Sequence, residues 1–149
     1  MATQDYNLTG TIKRLYERCK DGEHGYRRAA EHAEQFSLKK LFGEYAEQRA
    51  NFAAALQAEL GRHGAHDAKE GTIGEAVLQG WEGIKSAMTN SKDENAIAAC
   101  VRSEEAARQD YEAALKHDLP PDVRTLLESQ CATLRESQER IQALDVLVR

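Results

Sequence analysis

Residues 37–60, "SLKKLFGEYAEQRANFAAALQAEL", decide how this chain folds. Leu38, Leu41, Tyr45, Gln48, Phe52, Leu56 and Leu60 recur there at steps of three or four. That spacing places all seven on one face of an α-helix. Ser37 is a suitable N-cap, and Gly61 and Gly64 punctuate the other end. Six of the seven positions are apolar or aromatic, so the face must be covered by other helices. Gln48 is the exception, with Asn51 at the edge of the stripe.

Upstream, Leu8, Ile12, Leu15, Cys19, Tyr26, Ala30 and Ala33 continue the same period. "KDGEHG", residues 20–25, interrupts it with two glycines, each costing a helix about 1 kcal/mol relative to alanine. One continuous helix ending near Gln35 or Phe36 is expected, with a break at Asp21–Gly25 as the alternative. So short a joint to the next helix makes the two an antiparallel hairpin.

Downstream comes a polar loop, "HGAHDAKEG", and then Thr72-x-x-Glu75, a capping box. Ile73, Val77, Trp81, Ile84 and Met88 follow as a short amphipathic helix. Ser91-x-x-Glu94 opens a third long helix with the stripe Ile97, Val101, Glu104, Ala107 or Arg108, Tyr111 and Leu115. Pro120 and Pro121 suit the first turn of a fourth, and Asp122 suits the positive end of its dipole. Its stripe is Val123, Leu127, Gln130, Leu134, Gln138, Ile141, Leu144 and Val148. Helices of about 25 residues span roughly 37 Å, and the connector from Arg62 to Ser91 is long enough to travel that distance. Two antiparallel hairpins joined by one long crossover predict an all-α, ferritin-like four-helix bundle over residues 1–149, a single domain with an extra short helix in the crossover.

Composition narrows the partners. The net charge of −5 disfavours nucleic acid, whose binding rests on basic residues over phosphates. Arg27, Arg28, Lys39 and Lys40 read as solvated faces. No segment could span a membrane, no basic amphipathic face suits a membrane surface, and "MATQDYNLTG" has no apolar signal core. Cys19, Cys100 and Cys131 are odd in number and scattered, which fits a reduced, cytoplasmic setting and small core hydrophobes.

"DGEHGYRRAAE", "YAEQRANFAAALQAEL", "WEGIK", "EEAARQDYEAAL" and "LPPDVRTLLESQ" occur in that order. Together they resemble a family of uncharacterised bacterial four-helix-bundle proteins, a domain of unknown function in the ferritin-like superfamily. The resemblance covers nearly the whole chain. It implies the bundle fold and a bacterial origin, and it implies no activity.

Carboxylate-bridged iron pairs need a glutamate from each of two helices and Glu-x-x-His from each of the other two. No Glu-x-x-His occurs in this chain. The slot on the second helix reads Gln48-x-x-Asn51, and no histidine follows Leu119. Neutral amides cannot balance the charge of two iron ions. No metal or other cofactor is therefore expected. Glu104, with Glu23 or Glu31, is the alternative set for iron or manganese. The preferred reading is a buried polar layer of Tyr26, Tyr45, Gln48, Glu104, Tyr111, Gln130 and Gln138, in which Arg49 or Arg108 pairs with Glu104. His63, His66 and Asp67, with Glu70, could hold zinc, but a solvated loop is the preferred reading. His24, His32 and His117 fall on surfaces. No nucleophile elbow, phosphate-cradling loop or nucleophile–His–acid set appears.

The functional expectation is thus a non-catalytic bundle acting on a protein partner or on itself, as a homo-oligomer or stress-associated accessory protein. The alternative is a degenerate carboxylate protein that binds iron or manganese. Whether a small apolar ligand occupies the bundle centre is left open by the sequence.

Overall fold

The computed structural model describes residues 7–63 and 93–148. Four α-helices make up the described chain: α1 (Leu8–His32), α2 (Phe36–Arg62), α3 (Asp93–Leu115) and α4 (Pro121–Val148). No strand occurs among the described residues. The short crossover helix and both expected capping boxes lie wholly or partly outside them.

α1 is continuous through Asp21–Gly25. Asn7 starts it: its side-chain oxygen accepts the Gly10 N–H at 2.9 Å. The helix ends at His32, earlier than the expected Gln35 or Phe36, because Ala33 turns extended. α2 begins at Phe36 with Gln35 as its N-cap, and the Gln35 side chain makes no capping bond. Ser37 is not the cap. The Asp93 carboxylate, reaching across from α3, accepts the backbone N–H groups of Glu34 at 2.8 Å and Gln35 at 3.1 Å. Lys39 donates to the carbonyls of Ala30 and Glu31 at the negative end of α1. The turn between the helices is thus held by two residues outside it. At the other joint, the Pro120 carbonyl accepts the first helical bond of α4 from Arg124, and Pro121 takes the first helical position.

Residue pairs across the bundle give the helix directions. Arg18 meets Asp110, Cys19 meets Tyr111 and Tyr26 meets Glu104, so α1 and α3 are antiparallel. Gln48 meets Ser137, the Phe52 carbonyl meets Gln130, and His63 meets Asp122, so α2 and α4 are antiparallel. Each hairpin is itself antiparallel, so α2 and α3 run the same way. The residues that end α2 and begin α3 therefore sit at opposite ends of the bundle.

The core has two parts. One holds Ile12, Leu15, Leu56, Leu60, Tyr111, Val123, Leu127 and Leu134. The other holds Tyr26, Leu38, Phe42, Tyr45, Ile97, Cys100 and Ile141. Neither cluster includes the buried polar residues Asp21 of α1, Arg49 of α2, Glu104 of α3, and Ser137 with Gln138 of α4, which fall between the two in sequence along their helices. That mid-bundle layer is where any interior chemistry would lie.

Candidate functional site: a buried ion pair at mid-bundle

Arg49 and Glu104 form the centre of this layer. Their side chains are 3% and 1% exposed, and the guanidinium meets the carboxylate at 2.5 Å. The Tyr26 hydroxyl donates to the same oxygen, Oε2, also at 2.5 Å. Glu104 Oε1 and Arg49 Nε are buried without hydrogen-bond partners. The Arg49 guanidinium carbon lies 5.5 Å from the centre of the Tyr26 ring and 5.9 Å from that of Phe52, within cation–π range. Tyr26 meets Tyr45 edge-on, with ring centres 5.5 Å apart.

Local backbone makes room for Arg49. A Cβ on Gly22 would come 3.4 Å from Arg49 Cγ, so the arginine stem runs along α1 where a side chain is missing. Burial alone would lower the guanidinium's pKa, but the facing Glu104 carboxylate carries it upward. Tyr26 is pushed well above the ordinary tyrosine range, by burial first and Glu104 second. Both effects keep a cation and a neutral phenol around the carboxylate.

The other polar residues pair among themselves. Tyr45 and Gln138 are buried, and Gln48 is only half-buried. Gln48 sits against Ser137 at 3.4 Å, and Asn51 is exposed. The side chain that enters the core from this stretch is the neighbouring Arg49, not Gln48. Tyr111 donates to Gln130 at 2.6 Å and contacts the Cys19 sulfur at 3.1 Å. Arg108 donates to Gln138 at 2.7 Å and to Glu112 at 2.8 Å, so Arg49, not Arg108, is the partner of Glu104. All three cysteines are buried and unbridged. Burial pushes the Cys19 thiol up to about 11 and raises Cys100 and Cys131 as well, which leaves them poor nucleophiles.

The layer does not fit an iron pair. Glu23 pairs with Lys20 and Arg27 along α1, and Glu31 is exposed. Glu104 already contacts a guanidinium, and Asp21, the other buried carboxyl of α1 in this stretch, is pushed up by burial and faces Arg18 rather than Glu104. Among the described residues, metal-type ligands converge elsewhere. Glu59, His63 and Asp122 offer three ligand atoms within 4.8 Å of one another where α2 ends and α4 begins. The sequence groups His63 with His66, Asp67 and Glu70, and those three lie outside the described residues. The i,i+4 spacing of Glu59 and His63 was a legible signal; the arrival of Asp122 was not. Glu59 is pushed up, by burial first and by the facing Asp122 second. His24, His32 and His117 are exposed.

The family model of a domain of unknown function, DUF2383, matches residues 7–117. The chain belongs to the DUF2383 family. The match takes in α1, α2 and α3, and so both Arg49 and Glu104. In this DUF2383 protein, α4 lies beyond the matched segment and closes the fourth side of the layer. A search of curated proteins finds no match. No helix among the described residues is long and apolar enough to cross a membrane.

Proposed function

We propose that this protein is a ferritin-like bundle of bacterial origin that acts without catalysis. It works by binding a protein partner or a second copy of itself, as an accessory protein in the cytoplasm. The observation that carries this reading is the Arg49–Glu104 pair. A guanidinium occupies the interior position where a carboxylate-bridged centre would need a metal cation, and it satisfies the charge of the central carboxylate. The helix directions, with α2 and α3 parallel, support the ferritin-like order of two hairpins and a long crossover. Buried, high-pKa thiols and phenols offer no activated nucleophile.

A second reading, an iron- or manganese-binding carboxylate protein, is favoured by one observation: Glu104 Oε1 is buried without a partner. Elemental analysis of untagged protein, expressed with iron and manganese added, separates the two. The scaffold reading expects neither metal in stoichiometric amount, together with a mass above the 16.6 kDa monomer by light scattering or capture of a defined partner. One bound iron or manganese per chain, lost in Glu104→Gln, would overturn it.

A further inference from the structure

We propose that Glu59, His63 and Asp122 form a divalent-cation site, fitted to zinc, that fastens the last turn of α2 to the first turn of α4. The site is separate from the mid-bundle ion pair and goes beyond the scaffold reading.

Three observations carry it. First, the donor set is suitable: one imidazole nitrogen and two carboxylates are an ordinary zinc complement, leaving a fourth position for water. Second, the spacing fits. His63 Nε2 lies 3.7 Å from Glu59 Oε1 and 3.6 Å from Asp122 Oδ2. Zinc–ligand bonds of about 2.0–2.2 Å in a tetrahedron put neighbouring ligand atoms about 3.4 Å apart. The imidazole nitrogen is therefore a few tenths of an ångström from the zinc spacing to each carboxylate and beyond hydrogen-bond reach of both, while the Glu59 and Asp122 carboxyls lie close enough to hydrogen-bond each other when one is protonated. Third, two of the three atoms that would bind are unsatisfied. Glu59 Oε1 and His63 Nε2 are both buried without a hydrogen-bond partner, and Glu59 is 96% buried, being 4% exposed. A buried oxygen and a buried nitrogen that converge with a second carboxylate are costly unless a proton or a cation lies between them, and a cation would take the place of the proton that Glu59 and Asp122 can share.

The surroundings allow it. Arg62 takes the other Glu59 oxygen, Oε2, from a largely exposed position, so Oε1 remains for a single bond to the ion. The C-terminal end of α2 carries partial negative charge and the N-terminal end of α4 partial positive charge, so the two helix ends offset each other and the side chains decide the charge of the site. The ligands come from one turn of α2 and from a helix reached only after the whole of α3, so binding would cross-link the two hairpins.

The test uses untagged full-length protein stripped with a chelator and titrated with zinc chloride by calorimetry. The thermal midpoint is measured with and without zinc. Expected is one zinc per chain, with a zinc-dependent rise in midpoint. His63→Ala and Asp122→Ala should each weaken zinc binding at least tenfold and abolish the rise. Comparing each variant with itself, plus and minus zinc, removes any general loss of stability. Absence of binding at ~100 µM zinc, or binding undiminished in either variant, would overturn the proposal.

Discussion

Replacing Arg49 by methionine removes the guanidinium and keeps an unbranched stem for the space beside Gly22. Glu104, 1% exposed, then loses its buried cation and keeps only the Tyr26 hydroxyl. Two charges about 4 Å apart attract by about 4 kcal/mol at an effective dielectric near 20. Removing one member of a buried pair commonly costs about 3–5 kcal/mol, because the other is left uncompensated. Against a total stability of roughly 5–15 kcal/mol, that is a large loss. For a domain of this size it corresponds to a midpoint lowered by roughly 10 °C. Glu104→Gln should cost a comparable amount by leaving Arg49 buried without its counter-charge. The double variant Arg49→Met/Glu104→Gln should recover much of the loss, since replacing a whole buried pair is often neutral. Urea denaturation followed by far-ultraviolet circular dichroism gives the four free energies of the cycle. A coupling of about 2 kcal/mol or more is expected. If Arg49→Met alone cost under 1 kcal/mol, or if the two single losses simply added, the pair would not organise the core.

Asp21 supplies a pH test. Burial pushes its carboxyl from the ordinary 3.8 up to about 8, against the pull of Arg18. The folded chain therefore holds a proton that the unfolded chain releases. The stability it contributes is full below about pH 4 and lost as pH rises to about 8. Asp21→Asn should remove that slope and be the more stable chain at pH 8, measured as the difference from parent at each pH. Asp93→Ala removes the acceptor for two backbone N–H groups at the α1–α2 turn. It should cost about 1–2 kcal/mol, with faster amide exchange at Glu34 and Gln35; unchanged exchange there would count against its capping role. Gly43→Ala lies mid-helix with nothing within 4 Å of the new Cβ and should stabilise by up to about 1 kcal/mol. Gly22→Val should destabilise instead: a Cβ there already touches Arg49 Cγ at 3.4 Å, so the two further methyls of valine would crowd the arginine stem; a higher midpoint would mean the arginine has room to move.

Much of the architecture was legible in the periodicity. The stripes through Leu38–Leu60 and Val123–Ile141 identify helices and their apolar faces, because a 3.6-residue repeat is a property of the chain itself. The two prolines marked the start of α4 for the same reason: a missing N–H and a fixed φ act locally. Three things only the tertiary structure decided. Successive helical residues differ by about 100°, so a stripe cannot say whether Gln48 or Arg49 reaches the interior; Glu104 on another helix, paired with Arg49, and the small Gly22 beside its stem decide for Arg49. A cap can come from a distant residue, as Asp93 does for the α1–α2 turn. And Glu59, His63 and Asp122 meet because α2 ends where α4 begins, a coincidence of helix lengths and directions that no local pattern records.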